Sequence, residues 1–318
     1  MKLNALRDFL AVAERGGVRA AARHLGLPQP AITRNIHELE RELGVTLFER
    51  SGRGSRLTPM GEAFLRRASA VRSELQRAKD EIDQLRGLTH GRVTICLSSA
   101  PHLAFLPQVL RPFRQRFPDT ALEIIDGVYP VVEGDLRDGT VDAYIGPVPE
   151  AVPPELQREV LMKNTRVILG RAGHPLAQAR SLRELVDAEW ITTSITQRAE
   201  EELGPLFALH GLPAPRLVMR AQSSLTFLST LLHTDLLMML PVQWLRTPIA
   251  QGALTQIQVR EALPAPPIGI VQRTGLPLTP AAEYFCDLAR RAAVQAEREM
   301  KALRPAARPL TRARPPRA

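Results

Sequence analysis

The chain predicts an α/β protein: a helical N-terminal part followed by two lobes in which short strands alternate with helices. Three observations carry this. Apolar residues recur at helical spacing as far as Leu85, with turn signals between the segments. From Arg92 onward the pattern changes to period-two alternation, first in Val93, Ile95 and Leu97. No apolar run approaches the roughly 18 residues that would mark a membrane-spanning helix.

Charge is distributed unevenly over the 318 residues, whose formal net charge is +9. Residues 1–90 carry 16 Lys+Arg against 11 Asp+Glu, residues 301–318 carry 6 against none, and the stretch between carries 20 against 22. Basic ends on a near-neutral middle point to a polyanion partner for the N-terminal part. An arginine-favouring genome would give a similar composition, so the charge needs support from pattern. The N-terminus lacks the apolar core of a secretory leader. The two cysteines, Cys96 and Cys286, belong to no CxxC pair, so a reducing cytoplasm is the expected compartment.

Leu6, Phe9, Leu10 and Ala13 mark one face of a first helix, which Gly16-Gly17 stops. Arg19 to Leu25 reads as a short alanine-rich helix, and Gly26-Leu27-Pro28 as a tight turn. Pro30 suits the first turn of a third helix, where its missing N–H costs nothing. That helix runs to about Leu43, with Ile32, Ile36, Leu39 and Leu43 inward. At about 100° per residue, Pro30, Thr33, Arg34, His37 and Arg41 face outward, with Gln29 at the N-terminal end. Arg suits guanine edges in a DNA major groove and Gln suits adenine. A basic hairpin follows, with Arg50, Arg53 and Arg56 around Gly52 and Gly54. It reads as a wing for backbone or minor-groove contact, although Arg50 could equally serve a structural pairing with Glu42 or Glu49.

Thr58-Pro59 opens a long helix, Thr as N-cap and Pro at the first helical position. Phe64, Ala68, Val71, Leu75, Ala78, Ile82 and Leu85 are spaced alternately by four and three, a heptad seam on an otherwise charged helix. Such a seam wants a partner helix. A homodimer is the reading preferred over packing against its own domain, because paired readers match paired half-sites. Gly87 to Gly91 is a hinge.

Beyond it, strands are expected at 92–98, 121–126 and 141–145, then near 166–170 and 190–192, and at 216–221, 236–240, 254–259 and 268–272. Helices are expected from Leu106 to Phe117, at 131–138, 182–186, 200–210 and 224–233, and from about Pro280 to Met300. The sheets are expected to be parallel, with a ligand in the crevice between lobes. Residues 301–318, rich in Pro, Arg and Ala, should be disordered.

Motifs for phosphate loops, dinucleotide binding, nucleophile elbows and zinc proteases are missing, and no histidines sit at metal spacing. No catalytic residue, metal or cofactor is expected. Both cysteines read as core residues. Ser98 and Ser99 end a strand where a helix begins, so their hydroxyls are candidates to receive an anion, or simply cap the helix. An α/β binding protein or enzyme whose N-terminal helices serve only assembly stays open as the alternative.

Together these segments resemble the LysR-type transcriptional regulators. The resemblance is carried by Ala20-Ala21, Leu25, Gln29-Pro30-Ala31, Thr33-Arg34, Ile36, Leu39-Glu40, Leu43-Gly44, Leu47-Phe48, Arg50, Leu57-Thr58 and Gly61. Phe117-Pro118, Leu136 to Asp142 and Leu240-Pro241 add to it. It implies a winged helix-turn-helix over 1–58, a dimerising linker helix over 59–90, and over 91–300 a two-lobed effector domain like the type 2 periplasmic binding proteins. Lobe I would comprise about 91–162 and 266–300, and lobe II about 163–265. The resemblance places DNA contacts on Gln29, Pro30, Thr33, Arg34, His37 and Arg53. It places effector contacts on Ser98, Ser99, Ala100, Tyr129, Pro130, Pro147 and Ser194. It further implies homotetramers, a small organic effector that changes DNA bending, and RNA polymerase as a partner. Gly127 to Pro130 and His233 to Leu236 are similar to the branch containing the toluenesulfonate-pathway regulator, which points to an aromatic or other organic acid. Pro28 stands where that family commonly has Ser, so a usual helix cap is lost.

Overall fold

The computed structural model describes residues 1–51, 54–192, 200–221, 223–248 and 250–302. The N-terminal unit packs α1 (Leu3–Arg15), α2 (Val18–Leu25) and α3 (Gln29–Leu43) around Leu6, Phe9, Leu10, Ala21, Ile32, Ile36 and Leu39. Left-handed glycines end all three helices: Gly16, Gly26 and Gly44 have φ of 73°, 64° and 69°. Only glycine adopts that conformation without a steric penalty. No side chain caps α3, whose N-cap is Pro28. Leu43 departs from the expected inner face: it is 39% exposed, because the last turn of α3 overhangs a core that closes at Leu39.

The wing pairs β1 (Phe48–Ser51) with β2 (Gly54–Leu57) antiparallel, Phe48 opposite Leu57 and Glu49 opposite Arg56. Thr58 then caps α4 (Pro59–Leu85): its Oγ1 accepts from Gly61 N–H at 3.0 Å and donates to the Thr46 carbonyl at 2.7 Å. Gly61 has a steric reason, since a Cβ there would stand 2.1 Å from the Leu47 carbonyl oxygen.

The heptad seam on α4 divides. Phe64 and Ala68 pack into the N-terminal core, Phe64 edge-on to Phe9 at 4.9 Å between ring centres. These two are therefore not free to meet a partner helix, a correction to the seam as read from spacing alone. Val71, Leu75, Ala78, Ile82 and Leu85 are exposed in the single chain.

Residues 91–302 form two lobes. The first holds a five-stranded sheet with β3 (Gly91–Leu97), β4 (Thr120–Asp126), β5 (Ala143–Pro147), β6 (Leu156–Met162) and a late strand at Ile268–Arg273. Its spatial order is β4-β3-β5-late strand-β6. β3 runs parallel to β4 and β5, but the late strand is antiparallel to both its neighbours, so the sheet is mixed. α5 (Ser99–Ala104), α6 (Leu106–Arg116) and α7 (Glu133–Asp138) connect these strands.

In the second lobe β7 (Arg166–Arg171) is central to a sheet that is antiparallel throughout, flanked by β10 (Met238–Pro241) and β11 (Leu254–Ile257). β8 (Glu189–Thr192) and β9 (Arg216–Arg220) pair in parallel beside it, with α8 (Glu200–Leu209) and α9 (Ser224–His233) packed between strands in sequence. Short 3-10 turns stand at Leu182–Leu185 and Val242–Arg246. The chain then returns to the first lobe through β12 (Ile268–Arg273) and α10 (Pro280–Ala302). The expectation of parallel sheets is thus half right. The parallel ladders lie where helices connect neighbouring strands; the antiparallel ones are made by β12, which returns from the second lobe, and by β7 with β10 and β11 inside that lobe.

The core of the first lobe lies between its sheet, α6 and α10 and includes Cys286. A smaller cluster on the opposite face holds Cys96, Leu136, Val141 and Tyr144. Both thiols are buried and unbridged, as expected. The tail expectation for 303–318 lies outside the described residues.

Candidate nucleic-acid interface and interlobe cleft

α3 presents Gln29, Pro30, Arg34, His37 and Arg41 to solvent. Thr33 is half-buried, and its hydroxyl donates back to the Gln29 carbonyl at 3.1 Å. What fixes this face is polar and was not legible in the pattern. Asp8, fully buried on α1, accepts from Asn35 of α3 at 2.6 Å and from Arg7 at 2.8 Å. Glu40 ties α3 to the wing: one carboxylate oxygen accepts from the Leu47 and Phe48 N–H groups at 2.8 and 3.2 Å. Its other oxygen lies 3.3 Å from His37 Nδ1. The sequence hint to these roles is Asp8, which shares the helical spacing of the apolar Ala5, Ala11 and Val12 in the first helix. Arg56 is exposed on β2, Arg50 lies on β1 opposite Ser55, and Arg53 lies outside the described residues.

The second half of α4 docks on the first lobe through a polar stripe. Arg77 Nε donates to Asp142 Oδ1 at 2.8 Å, and its Nη2 donates to the Gly139 carbonyl. The other Asp142 oxygen accepts from Thr94 N–H at 2.8 Å. Glu74 accepts from Arg273 at 2.7 Å. Asp80 accepts from Arg92 N–H at 3.1 Å, and Gln84 accepts from Ala281 N–H at 2.9 Å. Burial raises the Asp142 carboxyl above the usual carboxylate range, against the opposing pull of Arg77.

The cleft lies at the carboxyl ends of β3, β4 and β5, as a switch in strand order predicts. Ser98 precedes α5; it is 4% exposed and its hydroxyl forms no well-made hydrogen bond. It converges with the Tyr144 hydroxyl over Gly146, where a Cβ would stand 2.2 Å from Tyr144 Oη and 2.8 Å from Ser98 Oγ. Tyr144 Oη donates to the Pro147 carbonyl at 3.3 Å. Ser99 and Pro147 are half-buried beside it, and the Tyr129-Pro130 peptide is cis, with Tyr129 half-buried and Pro130 exposed. The Tyr129 hydroxyl donates to Glu133 at 2.7 Å, so α7 borders the cleft at one end and holds Arg77 at the other.

Ala100 does not fit the expected role through its side chain, which packs into the lobe core at 2% exposure because the second residue of α5 faces inward. Ser194 lies outside the described residues. Tyr144 and Asp126 were missed, whereas Ser224 belongs to the Ser223-Ser224 turn that reads from sequence as an anion-receiving or helix-capping pair. Ser224 Oγ donates to Asp126 Oδ2 at 3.3 Å, reaching from one lobe to the other. At the far end of α5, Leu103, Ala104, Gln243, Arg246 and Glu299 line a separate cavity of about 220 Å³. Among the described residues no group of three His, Cys, Asp or Glu is placed to hold a metal, and no helix is long and apolar enough to cross a membrane.

A winged helix-turn-helix, a long exposed-seam helix and a two-lobed α/β domain define a DNA-binding regulator with a built-in ligand domain. Residues 3–62 match the model for the bacterial regulatory helix-turn-helix protein of the lysR family, and residues 86–294 match the LysR substrate binding domain. The chain belongs to the LysR family of transcriptional regulators. Among its relatives, the HTH-type transcriptional regulator GbpR of Azospirillum brasilense is 28% identical over 89% of this chain and 84% of that protein. GalR of Pseudomonas putida is 27% identical over 87% and 70% respectively. In fold, the chain is similar to the LysR family regulator CbnR at a TM-score of 0.69 and 23% identity, over 92% of this chain and 99% of that one. It is also similar to CbnR in complex with its target DNA, at a TM-score of 0.68 over 92% and 100%.

Proposed function

We propose that this regulator reads paired DNA half-sites with the outward face of α3 and changes its grip when a small organic acid occupies the interlobe cleft. The observation that carries the reading is the α3 face itself: Gln29, Arg34 and His37 exposed on a helix held by Asp8–Asn35 at one side and Glu40 at the other. A rigid support of this kind favours base contact over loose phosphate attraction. Pro30 and Thr33 set the helix against the groove, while Arg50, Arg53 and Arg56 of the wing hold the backbone.

Val71, Leu75, Ala78, Ile82 and Leu85 pair two chains through α4, and two such dimers form the homotetramer. Ser98, Ser99, Tyr129, Pro130, Pro147 and Ser194 surround the effector, with Ser98 Oγ as the unfilled donor. α7 relays cleft occupancy to Arg77 and so to the linker helix. RNA polymerase is the downstream partner and the cytoplasm the working compartment. The chain performs no catalysis. GbpR, GalR and CbnR, all regulators by name, support this reading.

A gel-shift on the DNA upstream of the chain's own gene tests it. Site-specific binding that weakens steeply with salt is expected. Arg34→Ala is expected to cost about 1–3 kcal/mol of specific binding if that side chain reads a base. Binding equally tight to unrelated DNA would sink the proposal.

A further inference from the structure

The cleft has unlike walls. On the first lobe, Asp126 ends β4 at its rim, and Glu133 and Asp135 lie on α7 just behind. Their combined field is felt inside the lobe: the Cys96 thiol is pushed up to about 12, first by burial and then by the charges of Asp126 and Asp135. On the facing lobe, Arg166 opens β7 and Arg220 closes β9 beside Thr192, four residues before Ser224. Arg166 lies near enough to Tyr144 to favour its phenolate, although burial dominates and raises that hydroxyl overall. Beneath the first wall, around Gly146, lie the buried Ser98 and Tyr144 hydroxyls.

A plain monoanion suits only part of this site. Its carboxylate can take a hydrogen bond from Ser98, whose hydroxyl forms no well-made hydrogen bond, and the field of Arg166, while the Tyr144 proton stays on the Pro147 carbonyl. The rest of it then meets Asp126 with nothing to offer a carboxylate. Asp126 has capacity to spare, because an ionised carboxylate has about four acceptor positions and Ser224 uses one. We propose, building on the cleft reading above, that the effector is a small zwitterion of the amino-acid class, its ammonium on Asp126 and its carboxylate on Ser98 beside Arg166. The ammonium adds to the Ser224–Asp126 contact without displacing it. The same group therefore recognises the ligand while keeping its contact with the other lobe.

The experiment is a thermal-shift and calorimetric comparison on the full chain with matched probes. The twenty common amino acids are each set against the same acid without its ammonium, for example L-glutamate against glutarate and L-phenylalanine against 3-phenylpropanoate. At least one amino acid is expected to raise Tm and bind roughly tenfold or more tightly than its deaminated partner, the worth of one charge-assisted hydrogen bond. Asp126→Asn is expected to erase that preference by weakening the amino acid alone. Asp126 is exposed, so the variant should fold, and Asp126→Ser gives a second reading. A deaminated acid that binds as tightly as its amino acid overturns the inference, as does a preference that survives Asp126→Asn or a panel without any shift. Ser98→Ala, which removes the carboxylate donor with little change of volume at this buried position, separates the two levels. A deaminated acid that binds as tightly as its amino acid and loses binding in Ser98→Ala keeps the cleft and rejects the zwitterion, whereas ligand binding indifferent to Ser98→Ala rejects the cleft itself.

Discussion

The two faces of α4 invert the usual rule of burial. Along its second half, Asp80 and Gln84 are 5% and 8% exposed, while Leu75, Ile82 and Leu85 are 50%, 57% and 70% exposed. A lone surface helix turns its apolar stripe inward. Here the polar stripe is inside because it completes hydrogen bonds that the first lobe would otherwise leave open: Thr94 and Gly139 through the Arg77–Asp142 pair, Arg92 through Asp80, Ala281 through Gln84. The apolar stripe is outside, where in the proposed dimer a second chain would cover it. One helix thus has two interfaces of opposite chemistry, one specified by hydrogen-bond geometry and the other by apolar area.

The largest effect is expected on the apolar face. Leu75→Glu places a charge in the middle of the proposed seam, and sedimentation analysis is expected to find monomers. Dimers that persist would show that the exposed row is not the pairing surface. The next largest lies on the polar face. Arg77→Ala leaves Asp142 as a buried carboxylate without its cation, which typically costs about 3–5 kcal/mol. The loss should be read in denaturant unfolding and should depend on pH in a fixed direction. Asp142 already has its folded pKa raised above the unfolded 3.8. A group of that kind favours folding below the unfolded value, and the contribution is lost as pH rises through the folded value. Removing Arg77 raises the folded value further, so the deficit is expected to shrink towards acid pH. A deficit that grew on acidification would rule out the unpaired carboxylate as its cause.

A smaller effect is expected in the wing. Arg56→Ala removes one exposed cation of the wing, which the proposed reading sets against the DNA backbone. It is expected to weaken binding to all sequences alike and to lower the salt slope by about one. A loss confined to one operator sequence would make Arg56 a base reader instead.

The same contrast explains what the sequence made legible. Helix ends were readable because Thr58, Pro59, Gly16 and Gly44 act on their immediate neighbours. The α3 face was readable because periodicity is local. The 4-3 spacing of the seam was visible, but not that Phe64 turns in to meet Phe9, since that contact joins helices distant in the chain. Strand β6 was missed because its burial follows no alternation: only Leu156 and Met162 are buried, with Gln157 to Val160 exposed on a sheet edge. β12 was found but its antiparallel direction was not, because direction depends on which strand it returns to. The cleft was read least well. Ser98 stood out as a strand-end hydroxyl, whereas Tyr144 and Asp126 become neighbours of that site only through sheet order. Ser224 reaches Asp126 from the other lobe.

The smallest expected change is the most discriminating for the polar face. Arg77→Gln with Asp142→Asn replaces the ion pair by two neutral amides of similar size. The new carboxamide on the lobe can still accept from Thr94 N–H through its carbonyl oxygen, and the one on the helix can still donate towards Gly139. Glu74 keeps its bond from Arg273. Two buried charges are removed together, so the desolvation they cost is removed with their attraction, and such exchanges are often close to neutral. Stability within about 1 kcal/mol of the parent is expected, with a large favourable coupling in the double-mutant cycle against Arg77→Gln and Asp142→Asn made singly. The pH dependence assigned to Asp142 should vanish in the same protein. If the double variant is as unstable as Arg77→Ala, the guanidinium is needed for its reach and shape to Gly139 rather than to balance Asp142. The polar face would then be held by backbone contact, and charge would have little part in joining the linker helix to the cleft.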